Sequence, residues 1–167
     1  MLAGLAGLAA CATQHPLETH AGASLPGTMR PYRVEGRWYY PAQQPHYNEV
    51  GIATWYGVGD GYGCRMTADG EQMDPQALTA AHKTLPLPSI VEVTNLENGR
   101  KARVRVNDRG PFVAGRIIDL SPAAAEKLGV RGSAKVRVKY IGPADPKAVL
   151  SPAAWRPFGG GGHVRCH

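Results

Sequence analysis

The sequence predicts an all-β fold: a closed or nearly closed barrel of five or six short strands with one or two short helices. Three observations carry that expectation. Five short segments rich in β-branched residues are bounded by Gly, Pro or Asn. Long crossover helices, which a parallel α/β sheet would need, do not recur. Gly (21) and Pro (14) are abundant in the 167 residues, as a fold built from short elements and many turns requires. The length suits one domain with loose ends, and no internal repeat stands out.

The chain opens with "MLAGLAGLAACA", an uncharged run too short to span a bilayer but of the size of a secretory h-region. Residues 1–10 are therefore set apart as a leader. Met1 is followed directly by apolar residues where a leader ordinarily begins with Lys or Arg, so a leader truncated at its basic end is expected. The run closes on "LAAC", Leu8 to Cys11, which resembles the lipobox of bacterial lipoproteins. There, cleavage falls before the Cys, whose thiol and new amino group are acylated; the alternative is an ordinary leader with an incidental Cys. Lipidation of Cys11 would leave Cys64 and Cys166 in a disulfide-permissive compartment, as a bridge or as two free thiols.

From Cys11 to residue 27 the Ala, Thr, Pro, His and Gly content, without apolar periodicity, reads as a flexible tether. An N-terminal extension over 28–50 follows. Within it, "PYRVEGRWYY" (31–40) reads as a small hairpin turning at Glu35-Gly36.

The barrel is expected over 51–142. Its strands are "GIATWYG" (51–57), "SIVEVTN" (89–95), "KARVRVND" (101–108), "GRIIDLS" (115–121) and "AKVRVKYI" (134–141). In the third, Ala102, Val104 and Val106 alternate with Lys101, Arg103 and Arg105. In the fifth, Val136 and Val138 alternate with Lys135, Arg137 and Lys139. Each of these strands should have one buried face and one basic, wet face.

Asn98-Gly99 favours a type I′ hairpin between the second and third strands. "SPAAAEKLG" carries a helix start and stop: Ser121 as cap, Pro122 at the first helical position, Gly129 past the end. A second short helix is expected from Asp74-Pro75 toward Ala81. Residues 143–167 are Gly- and Pro-rich and read as a disordered tail. Its His163, Cys166 and His167 could bind metal, but lone His residues on a flexible tail are the plainer reading, so neither metal nor cofactor is expected.

The formal charge of +6 suggests an anionic partner, either glycan carboxylates or lipid headgroups; nothing resembles a nucleic-acid motif. Three polar residues stand out from the solvated charges: Glu71 in "TADGE", His82 in "LTAAHKTLP" and Asp108 in "VRVNDRGP". Asp108 sits where a strand ends at Gly-Pro. From composition alone, a turn residue and a catalytic acid are about level there.

The run "GIATWYG", "TADGE", "LTAAHKTLP", "VEVTNLENG", "VRVNDRGPF" and "GRIIDLS" closely resembles the rare lipoprotein A (RlpA) family, septal-ring lytic transglycosylases with a double-psi β-barrel. The likeness covers about residues 51–141 in order. It implies a six-stranded double-psi β-barrel. It also implies a lyase that cleaves the β-1,4 bond between N-acetylmuramic acid and N-acetylglucosamine in peptidoglycan, leaving a 1,6-anhydro end. By the same resemblance Asp108, Glu71 and His82 fall on the family's functional positions. Asp108 would protonate the leaving oxygen and then take the proton of the attacking C6 hydroxyl. A carboxylate near Asp108, Glu71 for example, would help it keep that proton.

Trp55 and Tyr56 offer aromatic faces for sugar packing, with core packing as the equal alternative. Thr67, Asn107 and Arg109 complete the expected substrate contacts. Arg109 must direct its guanidinium toward substrate or another partner rather than Asp108. His82 is expected to orient Glu71 or meet a sugar hydroxyl. One departure is "VGDGYGCR", longer than the family's segment, with Gly63 at its His position and Cys64 at its Gly.

The implied partners are peptidoglycan glycan strands, a membrane, expected to be the outer one, through the lipid, and division-machinery proteins. A monomer on the periplasmic side of the envelope is expected. The competing readings are an expansin-like protein that binds polysaccharide without cleaving it, and a hydrolase with two acids. The Gly-rich tail is expected to be too short for the second glycan-binding module that members of that family often carry.

Overall fold

The computed structural model describes residues 25–56 and 65–145. The leader, Cys11, the start of the tether, the 57–64 segment with Cys64, and the tail from 146 lie outside them.

A hairpin of β1 (Tyr32–Val34) and β2 (Arg37–Tyr39) precedes the barrel. Its two turn residues, Glu35 and Gly36, both have positive φ, 47° and 81°, as a type I′ turn needs. The barrel strands are β3 (Asn48–Trp55), β4 (Thr79–Ala81), β5 (Ser89–Asn95), β6 (Lys101–Asp108), β7 (Arg116–Leu120) and β8 (Ser133–Pro143). They close in the order β3-β7-β4-β6-β5-β8. β3 runs parallel to β7 and β4 parallel to β6, while the other pairs are antiparallel.

The alternation in β5, β6 and β8 sends Val91, Val93, Val104, Val106, Val136 and Val138 into a core shared with Ile118 and Leu120, all fully buried. Burying each such side chain stabilises the fold by about 1.5–3 kcal/mol. Helix α1 (Pro122–Leu128) adds Ala123, Ala124, Ala125 and Leu128 to that core. Its ends are as the sequence predicts: Ser121 Oγ accepts from Ala124 N–H, and Gly129 at φ 70° closes the helix. Ser121 Oγ also donates to the Ala77 carbonyl at 2.6 Å, tying the helix start to the segment that enters β4.

Three local expectations are corrected. Asp74-Pro75 starts only a turn, with Gln76 N–H on Asp74 Oδ1 and Ala77 N–H on Asp74 O. Thr79–Ala81 is then a strand, fully buried between β6 and β7, where pairing on both sides outweighs the helix propensity of alanine. The β5–β6 connection is not a two-residue type I′ turn at Asn98-Gly99. Residues 96–99 form a four-residue loop in which Asn95 N–H bonds Arg100 O and Gly99 N–H bonds Asn95 O. Only Gly99 (φ 75°) has positive φ.

The third concerns β6. Arg105 is 1% exposed instead of facing water, because a carboxylate from the 67–71 loop meets it there. The wet faces of Lys101 and Arg103 on β6, and of Lys135, Arg137 and Lys139 on β8, are as expected.

Candidate active site

The β4–β6 register slips between Ala80 and Ala81, so that Ala80 faces Val106 and Ala81 faces Asp108, leaving Asn107 as the extra residue. Such a bulge bends a strand and re-aims the side chains beside it. Here it falls beside Asp108, which borders an open cleft of about 480 Å³ lined also by Tyr56, Arg65, Phe112, Arg116 and Asp119.

Asp108 is half-buried. Its Oδ1 accepts two backbone N–H bonds, from Arg109 at 2.8 Å and Ala68 at 2.9 Å, while no hydrogen bond from the described residues reaches Oδ2. Burial raises its pKa above the ordinary carboxylate value. The two N–H donors, then Arg65 and Arg109, oppose that rise.

Glu71 does not act as the charge that raises Asp108. It is neutralised by Arg105, whose Nη2 donates to Oε1 and whose Nε reaches Oε2 at 3.4 Å. Asn107 Nδ2 donates to the same Oε2 at 2.9 Å. A second carboxylate, Asp69, lies 3.8 Å from Arg105 Nη2 with a buried Oδ2 that accepts no hydrogen bond, and burial raises its pKa. Thr67 is buried and inward-turned. Its hydroxyl donates within the loop to Asp69 Oδ1 at 2.7 Å and accepts from Glu71 N–H, so it holds the loop's shape instead of facing the cleft.

His82 does not orient Glu71. It is 4% exposed, and both ring nitrogens are occupied. Nδ1 accepts from Thr84 and Leu85 N–H, and Nε2 bonds Tyr47 Oη at 2.9 Å. Burial, with Arg109 and Lys83 nearby, pushes its pKa down to about 3, so the ring is neutral. Its backbone meets the site more directly: His82 N–H bonds Asp108 O at 3.0 Å.

Arg109 turns away from Asp108 toward another partner, one of the two directions expected. Its Nη1 donates to His82 O and Leu85 O, and Nη2 to Thr28 O at 2.6 Å. Its guanidinium also lies 5.8 Å from the Tyr32 ring centroid. With these bonds it clamps the N-terminal extension to the barrel, and part of the residue also lines the cleft.

Of the two expected aromatic contacts, Trp55 is 38% exposed at the end of β3. Tyr56 lines the cleft with its hydroxyl 3.1 Å from Thr79 Oγ1, and burial pushes its pKa up to about 12. Reading the sequence alone misses Phe112, which joins the cleft wall to the hairpin rings Tyr32 and Tyr39. It also misses Arg65, Arg116 and Asp119, whose carboxylate accepts from Thr54 Oγ1. Asp119 was legible only as the polar residue inside "RIIDL", where alternation alone does not separate a cleft from water. Among the described residues, no three His, Cys, Asp or Glu side chains gather as a metal site.

A closed six-stranded barrel with two parallel strand pairs, bordered by a cleft with two half-buried carboxylates, Asp108 and Asp119, makes this a double-psi β-barrel protein. The chain belongs to the family described as "Lytic transglycolase", whose profile matches residues 48–140. It is 54% identical over 116 residues to the endolytic peptidoglycan transglycosylase RlpA of Pseudomonas aeruginosa strain UCBPP-PA14, covering 68% of this chain and 33% of that protein. To the Campylobacter jejuni protein of the same name it is 50% identical over 119 residues, covering 70% of this chain and 42% of that one. The chain thus spans well under half the length of these two relatives. Among solved structures, a Streptomyces papain inhibitor aligns with TM-score 0.48 and 28% identity over 60% of this chain and 99% of that one.

Proposed function

We propose that this domain is a peptidoglycan lytic transglycosylase in which Asp108 is the single acid and base. The observation that carries this reading is the asymmetry of its carboxyl group: Oδ1 is fixed by two backbone N–H groups, while Oδ2, beside the cleft, takes no hydrogen bond from the described residues. The proton on Oδ2 passes to the glycosidic oxygen as the C1–O bond breaks. The resulting carboxylate, stabilised by the Ala68 and Arg109 N–H donors, then takes the proton of the C6 hydroxyl as O6 bonds to C1. A 1,6-anhydro end forms and no water is consumed.

Glu71, His82, Thr67 and Asn107 act in this scheme by holding the loops that place those donors. Tyr56, Trp55 and Phe112 supply faces for the sugar rings. The names carried by the relatives support the substrate assignment. The order of residues at Leu8–Cys11 supports a lipid anchor in the cell envelope.

The experiment is mass analysis of products released from purified sacculi and from glycan strands stripped of peptide. Anhydro-ended fragments are expected from the unaltered chain and none from Asp108→Asn. Reducing ends would favour a hydrolase that also uses Asp119. Pelleting with sacculi without any release would favour an expansin-like binder.

A further inference from the structure

Across the barrel from the cleft, the outward faces of β6, β5, β8 and β3 lie side by side, and the register lines up their charges. Arg103 faces Glu92, which faces Lys139, which faces Asn48. In the next row Lys101, Thr94, Arg137 and Val50 align in the same way. Lys135 beside Ile52 begins a third row. Lys101, Arg103, Lys135, Arg137 and Lys139 are all exposed.

Against these five cations the face carries Glu92 alone, with Glu97 at its margin accepting from Lys135 N–H. Among the described residues none of the five takes part in an ion pair within 4 Å of the kind that Arg105 makes with Glu71 and Asp69. Among the described residues the Arg137 side chain hydrogen-bonds the Asn48 amide oxygen, at 3.3 Å. Val50 and Ile52, 39% and 37% exposed, lie among them.

We propose that this face docks on an anionic phospholipid surface. The cations form a two-dimensional array, with rows about 7 Å apart along strands that sit about 4.8 Å from one another. The barrel wall is convex, so a layer of headgroups meets Lys135, Arg137 and Lys139 on β8 first, with Lys101 and Arg103 of β6 at the margin of the contact. A single glycan strand, by contrast, is gripped in a groove with aromatic platforms, and none of these outward positions is aromatic. Lys and Arg beside exposed aliphatic side chains match headgroup phosphates with acyl chains just beneath. The cleft, formed by β4, β7 and the ends of β6 and β3, lies on the far side and stays open when the face is covered.

The test is sedimentation of the unacylated chain with vesicles of phosphatidylcholine, with and without roughly a third phosphatidylglycerol. Binding is expected only to the anionic vesicles and should vanish at about 0.5 M salt, where screening shortens charge interactions to a few ångströms. Lys135→Gln/Arg137→Gln/Lys139→Gln should weaken it by about tenfold or more, with unchanged circular dichroism and unchanged cleavage of soluble glycan strands. Arg30→Gln/Arg33→Gln/Arg37→Gln on the N-terminal segment should leave it in place. Absence of vesicle binding would overturn the proposal, as would equal loss in the two triple variants. So would a β8 triple variant that loses binding to sacculi while its vesicle binding is intact.

Discussion

Asp108 and Ala68, forty residues apart, are joined by a 2.9 Å hydrogen bond from the loop backbone to the carboxylate. The bond makes the acid's state depend on a loop whose own shape is set by Thr67, Glu71 and the buried Arg105.

Asp108→Asn should abolish release of anhydro fragments, a loss of at least about a thousandfold, while the fold persists because the amide oxygen can still accept from Ala68 and Arg109. The unaltered acid has a folded pKa above its usual 3.8. Its native state therefore holds the proton more tightly than the unfolded chain, and stability falls as pH rises through that window. The variant should melt higher than the unaltered chain at neutral pH, and the difference should vanish in acid below the ordinary carboxylate value. Thermal unfolding across pH measures both.

His82 should contribute no limb to the pH–rate profile. With a folded pKa near 3 against the ordinary 6.5, the unfolded state binds its proton first. The stability it gives is complete above 6.5 and drains away as pH falls toward 3. His82→Ala strands the Thr84 and Leu85 N–H groups and should cost ~2–4 kcal/mol in denaturant unfolding. A ring nitrogen resonance that titrates near neutrality would overturn the assignment.

Arg109→Met removes the guanidinium from the carbonyls of Thr28, His82 and Leu85 but keeps the backbone N–H on Asp108. Stability should drop by ~2–4 kcal/mol. Limited proteolysis should open cuts within 25–47 before any in the barrel. Cleavage activity should fall much less than in Asp108→Asn.

Arg105→Met leaves Glu71 without its ionic partner and should destabilise the protein by ~3–5 kcal/mol. Adding Glu71→Gln should recover part of that loss, since the two are one unit. Activity of the double variant measures how well the 67–71 loop still presents Ala68 N–H.

Where local pattern and tertiary pairing agree, the sequence is readable to the residue: β5, β6 and the capped helix α1 stand at their expected positions. β4 is not readable, because three small residues after an Asp-Pro turn carry no strand period and are extended only through neighbours supplied by β6 and β7. Arg105 follows the alternation rule and breaks its meaning, since Glu71 arrives from thirty-four positions away. The motif text singled out Asp108, Glu71 and His82 together. It could not separate the acid beside the cleft from a salt-bridged carboxylate and a buried neutral ring, a distinction made by hydrogen bonds distant in sequence.

Among the described residues β8 is the last strand, and it is hydrogen-bonded by β3 on one side and β5 on the other, so the barrel is sealed only by Ser133–Pro143. A nascent chain lacking it carries two unsealed edges, and its parallel pairs join segments that are remote in sequence. Synthesis can therefore run almost to the end of the domain before a stable product exists. Assembly of the barrel is thus a single late event instead of a stepwise one.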